Sequence, residues 1–365
     1  MSNIKLHVNG YIYEGWKDVS VTRSIEEAAP KFTIGLSADF QNGTGVLPVQ
    51  PGAACKLVLN NTVVITGYVD GITGSYDDKT HSYSITGRSA IGDLVDCSAI
   101  VKGGEFNNLT VTQIAESLCE PFGVKVRAET SVGERLAKHR TDDASPHSII
   151  ERACRRRGLI LSSSPAGELI ITTIGNRKVS TPLQTGGNVK KAGGSFSMNQ
   201  RFNQYLIKGQ SDSSSDLASQ IQAKGVATDP GVKRYRPLVV DAEDGETDLQ
   251  SRAQFEATVR LGRSNKITYT VQGWEHDAGL WEPNTLVRVV DSYFGIDAWL
   301  LISTVVYGYS DGDGTIATIT VMPKESFKVQ LLKEKSPNAA GGGKKFGNVF
   351  ADDQQLPAPD LPAIF

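Results

Sequence analysis

Four arginines flank a cysteine in the stretch SIIERACRRRGLIL, Ser148 to Leu161. Cys154, with Arg152 on one side and Arg155, Arg156 and Arg157 on the other, could be a thiolate nucleophile, part of a phosphate contact, or a packing residue of a charged helix. A nucleophile needs a base beside it, and the five histidines (7, 81, 139, 147 and 276) are scattered, with no spacing that supplies a base or a metal site. A second reactive-looking string is WEHDAGLWEPN, with Glu275, His276, Asp277 and Glu282 beside Trp274 and Trp281. A glycosidase needs two carboxylates facing each other across a sugar, whereas these acids crowd one loop. DAEDGETD, from residue 241, could bind calcium, but Gly245 is out of register for the 12-residue loop. GDGTIA, from Gly312, fits only the loosest dinucleotide fingerprint and sits between two strands, where that fingerprint needs a strand entering a helix. GxSxG, GxxxxGK[ST] and HExxH are absent. No catalytic, cofactor-binding or metal-ligating residue is therefore assigned, and no cofactor is expected.

The elements that must position Cys154 are set by a repeat. In TQIAESLCEPFGVKV, residues Ile114, Ala115, Glu116, Cys119 and Gly123 align with Ile149, Ile150, Glu151, Cys154 and Gly158. Each copy begins at a capping residue, Thr110 or Ser145, with Pro146 suited to a first helical turn. Each ends at a Gly placed for a left-handed stop, followed by the short strand VKV or LIL. Isoleucine, alanine and cysteine then share the buried face of a short helix packed on a strand. On this reading Cys154 is a core residue and the arginines form the solvated side and end of the helix, where positive charge suits the dipole.

A larger repeat frames the chain. KFTIGLSADF, PGAACKLVL, TVVITGYVDGITGSY and KTHSYSITGRS run from Lys31 to Ser89. KITYTVQGW, PNTLVRVVD, AWLLISTVVYGYS and TIATITV run from Lys266 to Val321 in the same order. Pro51 to Lys56 and Pro283 to Arg288 share one offset, and polar and apolar residues alternate at period two. Antiparallel strands joined by tight turns, with glycines at 67, 71 and 74 for bends, read as a small curved barrel. The fold class expected is α+β, mainly β, with two similar antiparallel β-barrel modules and an inserted small α/β domain.

The expected divisions are residues 1–95 for the first barrel, 96–180 for the insertion, and 181–330 for the second barrel. Within the last, Ser195–Gln210 reads as the strand that begins the barrel, and a polar insertion occupies about 211–250. A helix is expected over Thr247–Ser264, capped by Thr247, with Leu249, Ala253, Phe255 and Val259 inward. Residues 331–365, rich in Gly, Pro and charge, read as a flexible arm. Its apolar anchors Phe346, Val349, Phe350, Leu356, Leu361 and Phe365 are candidates for binding a partner.

Net charge −2 and pI near 6.2 argue against a protein that grips nucleic acid by counterion release. No apolar run reaches a membrane span, so stable membrane insertion is not expected, and the N-terminus shows no secretory leader. The four cysteines form no CxxC pair and are expected to be reduced. The acceptor tripeptides at Asn42, Asn60 and Asn108 then carry no meaning. A scaffold with a duplicated module suggests a closed trimer, in which six copies form a ring that can mate a three-fold with a six-fold object.

The order of these segments resembles the baseplate hub proteins of contractile-tailed bacteriophages, most closely the hub of Mu-like phages. The resemblance spans roughly residues 1–330 and is carried by RSIEEAAPKFTIGLSADF, SIIERACRRRGLILSSSPAGELIIT and RFNQYLIKGQ. SITGRSAIGDLVD (Ser84–Asp96) is its most telling string, since the family's first barrel commonly ends in a Gly-Arg-Ser-x-x-x-Asp-Leu-like run. It implies a structural protein, not an enzyme: a homotrimeric, quasi-six-fold ring in the virion tail baseplate, assembled in the host cytoplasm. Implied partners are the tail tube or its initiator, neighbouring baseplate proteins and a central spike. Phage DNA would pass the channel transiently. No repetitive spike sequence follows residue 330, so the spike is expected to be a separate polypeptide. Two other classes stay open on the residues alone. A tail-associated cell-wall hydrolase would use Glu275, Asp277 or Glu282. A carbohydrate-binding module would expose Trp274, Trp281 and Trp299 in one plane.

Overall fold

In the computed structural model, residues 3–37, 49–76, 81–142, 144–175, 177–209, 224–242 and 248–327 are described. The N-terminal part is all strand: β1 (Ile4–Val8), β2 (Tyr11–Tyr13), β3 (Asp18–Ser24), β4 (Lys31–Ser37), β5 (Ala54–Leu59), β6 (Thr62–Tyr76) and β7 (His81–Ser89). Helix α1 (Gly92–Asp96) opens a mixed unit of β8 (Glu105–Leu109), α2 (Val111–Cys119), β9 (Val126–Ala128), β10 (Leu136–Arg140), α3 (Pro146–Arg155), β11 (Ile160–Ser163) and β12 (Leu169–Thr172). Short strands β13 (Arg177–Lys178) and β14 (Leu183–Gln184) lead to β15 (Val189–Phe196). Next come β16 (Gln204–Lys208), β17 (Lys224–Thr228), β18 (Pro237–Asp241) and α4 (Leu249–Arg263). The described chain ends with β19 (Asn265–Gln272), β20 (Glu275–His276), β21 (Gly279–Leu280), β22 (Thr285–Asp291), β23 (Ile296–Ser310), β24 (Gly314–Met322) and a 3₁₀ turn at Lys324–Phe327. The protein is mainly β, of the α+β class.

The duplication read from the sequence is present strand by strand. The antiparallel order β3-β4-β7-β6-β5 in the first half recurs as β15-β19-β24-β23-β22 in the second. The long strands β6 and β23 each have 15 residues, and their partners β7 and β24 each have 9. Both long hairpins carry a register shift at the matching place, between Val69 and Gly71 and between Ile302 and Thr304. A bulge bends a strand and increases its twist, so the same curvature is built into both copies. At Gly67 the sheet closes so tightly that a Cβ would lie 2.0 Å from the Arg88 carbonyl oxygen.

The two copies do not stand as separate barrels. No closed barrel is found among the described residues; the strands join one fourteen-stranded sheet. The cause is visible at β23, whose two ends serve different neighbours along one edge. Ile296–Leu301 pair with β22, and Thr304–Ser310 pair with β3 of the first copy. Each module thus gives an edge to a neighbour instead of closing on itself. Val19, Val21, Phe32, Ile34, Tyr269, Val305 and Tyr307 belong to the main core beneath one face. The opposite face is paved with hydroxyls, among them Ser20, Thr22, Thr33, Thr86, Thr268 and Thr318, all half-buried or exposed.

Two other expectations are corrected. The strand read across Ser195–Gln210 is split: Ser195 and Phe196 end β15 on the main sheet, while β16 is the centre of a separate β17-β16-β18 sheet. The segment read as a polar excursion therefore contains two strands, β17 and β18, with α4 packed on that sheet. Helix α4 is capped by Asp248, whose Oδ1 accepts from the Ser251 amide at 3.0 Å; Thr247 lies outside the described residues. The closest approach of α4 to the small sheet is at Gly225, where a Cβ would meet the Leu249 carbonyl oxygen at 1.9 Å.

Candidate functional site

Helix α3 is set as its sequence dictates. The Ser145 hydroxyl accepts from the Ser148 amide at 3.3 Å, Pro146 opens the first turn, and Gly158 ends the helix at φ +68°. Its copy α2 has a full capping box between Thr110 and Gln113 and a left-handed Gly123. Ile114, Ala115, Cys119, Ile149, Ile150 and Cys154 are all fully buried in one core. Burial, helped by the nearby Glu151 charge, pushes the Cys154 thiol up to about 12. Burial pushes Cys119 up to about 12 as well, and burial with the Asp70 charge does the same for Cys55. Fully buried and held toward the thiol form, Cys154 is a packing residue of this core.

The arginines are more than a solvated helix end. Arg152 pairs with Asp142 at 2.5 Å and donates to the carbonyls of Arg140 and Thr141. Arg156 donates to the Lys138 carbonyl and Arg157 to the Glu134 carbonyl. Arg155 turns to Glu151 on its own helix, at 2.7 Å. Three of the four therefore clamp α3 to the segment around β10, consuming donors that a phosphate contact would need.

The WEHDAGLWEPN loop is also architectural. Trp274 and Trp281 are each 1% exposed, so they cannot form a sugar platform with Trp299, which is 44% exposed and lies under Lys178. Trp274, just before β20, donates to the Gly308 carbonyl at 2.8 Å, tying the start of this loop to β23. Glu282 is held between Arg23 at 3.5 Å and Arg177 at 3.0 Å. Glu275 accepts from the Asn60 side-chain amide at 3.5 Å, and the Asp277 backbone amide donates to the Thr181 hydroxyl. Burial depresses the pKa of His276 against the opposing pull of Asp277 and Glu282. A recess of about 340 Å³ adjoins these groups, and the paired Arg23, Arg177 and Glu282 share its wall with apolar residues such as Val63, Pro165 and Leu280. No cluster of metal-ligating side chains occurs among the described residues. Part of the acidic loop, residues 243–247, lies outside the described residues.

What the sheet does offer is edges. Where β3 meets β23, the seam is stitched by seven register pairs from Asp18↔Ser310 to Ser24↔Thr304. The Ser24 and Thr304 hydroxyls add a 2.8 Å contact. Two matching edges have no strand on them among the described residues: the outer side of β15, and β6 beyond Val69. Beside β15 stands an aromatic group. Phe196 and Phe294 meet edge to face at 5.6 Å, and Tyr293 is 81% exposed. Their turn is fixed by buried Asp291, which accepts from the amides of Tyr293 and Phe294 and from the Tyr269 hydroxyl. The arm residues Phe346, Val349, Phe350, Leu356, Leu361 and Phe365 lie outside the described residues.

The comparisons with known proteins bear on these same segments. Residues 3–89 match the N-terminal domain of the Mu phage baseplate assembly protein GpP-like model, and residues 246–330 match the fourth domain of that protein. Residues 91–173 match the second domain of the baseplate hub protein gp44-like model. Over 362 residues the chain is 34% identical to the baseplate hub protein gp44 of Escherichia phage Mu, covering 95% of this chain and 94% of that one. This chain belongs to the Mu-like baseplate hub family. It is a structural protein of the tail baseplate and not an enzyme. Among solved structures it is similar to the 43 kDa tail protein of prophage MuSo2 from Shewanella oneidensis, with 36% identity and a TM-score of 0.83 over 91% of this chain and 100% of that one. A tail protein from Neisseria meningitidis MC58 shares the fold, with 22% identity and a TM-score of 0.75 over 89% and 98% of the two chains.

Sequence reasoning missed Arg23 and the open strand edges. For Arg23 a signal was available: it follows Val19 and Val21 at period two, which puts a cation on the inward face of β3. For the edges only a weak signal exists, the Gly193-Gly194 pair in β15.

Proposed function

We propose that the protein is the homotrimeric ring of the baseplate hub, joining the tail tube on one side to a spike on the other. The observation that carries this reading is the repeated strand order β3-β4-β7-β6-β5 and β15-β19-β24-β23-β22, already fused through one seam within the chain. Three copies set six such modules around a three-fold axis, which gives a surface fit for a six-fold tube. The division into a first module to residue 95, an insertion to 180, a second module to 330 and an arm accords with it. The hydroxyl-paved face would line the channel through which DNA passes. The arm anchors Phe346, Val349, Phe350, Leu356, Leu361 and Phe365 are proposed to engage the spike, with neighbouring baseplate proteins around the ring. Assembly would take place in the host cytoplasm.

The test is the mass of the full chain in solution by light scattering and sedimentation. A trimer of constant mass across concentration is expected. A monomer at all concentrations overturns the reading.

A further inference from the structure

We infer that the loop joining β17 to β18 is a docking site for the acidic distal segment of the same chain, residues 346–360, with Lys233 and Arg234 facing Asp352, Asp353 and Asp360. This goes beyond the spike reading, which gives the arm a partner outside the chain, and it does not rest on the ring. An arriving spike would compete with the loop for the same anchors.

The loop is fixed at both ends and cationic at its tip. At its start, Asp229 pairs with Arg201 at 2.8 Å and accepts from the Gly231 amide at 3.0 Å. Val232 is buried, and its amide donates to the Asp229 carbonyl. At the far end Asn203 closes the loop twice. Its amide donates to the Arg236 carbonyl at 3.0 Å, and its Oδ1 accepts from the Arg236 amide at 2.7 Å. Between these anchors project Lys233, Arg234 and Tyr235, all exposed, Tyr235 at 83%. Neither Lys233 nor Arg234 has an acidic partner among the described residues. Arg236 lies over the Phe202 ring and donates to the Asn199 carbonyl, with no carboxylate to balance it. The neighbouring Arg201 and Arg260 are instead neutralised by Asp229 and Glu256. Unbalanced positive charge is thus concentrated on a preformed tip, with Met198 exposed next to Asn199.

Three arguments make the distal arm the occupant. The first is charge. Residues 346–365 hold three aspartates and no lysine or arginine, whereas residues 328–345 hold five lysines against one glutamate, so only the distal half complements the loop. Phe350 and Leu356, on either side of Asp352 and Asp353, are the apolar partners that Tyr235 and Met198 would take. The second is position. Arg260 of α4 shares the Phe202 ring with Arg236, at 5.6 and 5.3 Å. Two residues further along the helix, a Cβ on Gly262 would lie 2.3 Å from Ser326 Oγ, so the described chain ends against the same stretch of α4. The roughly 25 residues from Phe327 to Asp352 can span at most about 80 Å, against about 22 Å for the whole of α4. The third is concentration. Groups on one chain meet at an effective concentration on the order of 1 mM, so a contact with a Kd of about 1 mM is half filled. Exposed ion pairs are individually weak, and the tether is what makes a few of them sufficient.

Carbodiimide cross-linking of the full chain tests this, because it joins a lysine only to a carboxylate in direct contact. Mapping of the products should find Lys233 joined to Asp352, Asp353 or Asp360 within a single chain. Arg234→Glu should lower the initial yield about threefold, as expected when a half-filled contact weakens about fivefold. Adding Asp353→Lys to that variant should restore it. Salt near 1 M, where charges act over only about 3 Å, should lower the yield of the unsubstituted protein as well. The inference is overturned by the absence of any link from Lys233 to the arm, by a link that joins two chains, by a yield unmoved by Arg234→Glu, or by a loss that Asp353→Lys does not restore. Binding of a short DNA duplex that Arg234→Glu abolishes, with no link from Lys233 to the arm, makes the loop a nucleic-acid contact and overturns it too. None of these outcomes changes the mass in solution, so the ring reading stands or falls separately.

Discussion

The Arg23 guanidinium lies 3.5 Å from the Glu282 carboxylate and also donates to the Ser163 carbonyl at 3.3 Å, so one cation joins the first module, the insertion and the second module. Arg23 is 6% exposed, whereas Glu282 is about a third exposed and keeps Arg177 as a second partner. The two ends of the pair are therefore unequal.

Glu282→Leu should cost about 3 kcal/mol, because it strands a buried guanidinium. Arg23→Leu should cost about 1–2 kcal/mol, since Glu282 can turn to Arg177 and to water. Denaturant unfolding of the two variants checks the order; equal losses would show that Arg23 is solvated through the nearby recess.

Replacing Arg152, Arg156 and Arg157 together by Gln should lower stability by about 2 kcal/mol, from the loss of the carbonyl contacts to Glu134, Lys138, Arg140 and Thr141. That exceeds the few tenths of a kcal/mol of an ordinary surface site. Cys154→Asp should be worse, at several kcal/mol, because it buries an unpaired charge, and Cys154→Ala mild. Thermal melts of the three proteins give the ranking.

Acid should weaken the fold in a defined window. Burial lowers the pKa of His139, His147 and His276 below the ordinary 6.5. With the folded value depressed, the unfolded chain takes up protons first, so stability is full above about 6.5 and declines as pH falls below it. His139 donates from Nε2 to the Ile149 carbonyl, 2.8 Å away, and lies in the insertion core, where the loss should be felt first. Melting temperature measured from pH 7.5 to 5.5 should fall, and His147→Gln should flatten the slope. A rise on acidification would contradict the assignment.

Truncation after Lys335 should leave the oligomer intact, because the repeated strands from which the proposed ring is built all precede it. Capture of a purified spike protein in a pull-down should weaken. Unchanged capture would remove the arm from the spike contact.

The parts of this fold that were legible in the sequence are those encoded locally. The cap at Ser145, the apolar spacing through Ile149, Ile150 and Cys154, and the left-handed Gly158 all lie within one helix and its ends. The long hairpins were legible because a 15-residue alternation and an acidic turn specify them without outside help. The seam was not, because nothing near Ser24 tells it to seek Thr304. A closed barrel and an open sheet share the same local alternation, and the choice rests on which distant edge is nearer. Gln204–Lys208 failed for the same reason, since its pattern fits any sheet. Arg152, Arg156 and Arg157 were misread because their acceptors are main-chain carbonyls, which carry no sequence signature.

The seam also sets a schedule. Ser24 and Thr304 are 280 residues apart, so β3 leaves the ribosome long before the strand that covers its edge. At about 5–20 residues per second the wait is roughly 15–60 s. During that interval the N-terminal sheet carries an unfilled strand position that any extended chain could occupy, including β3 from another nascent copy. Folding therefore cannot keep pace with synthesis: the first module is made first and finished last, when β23 arrives.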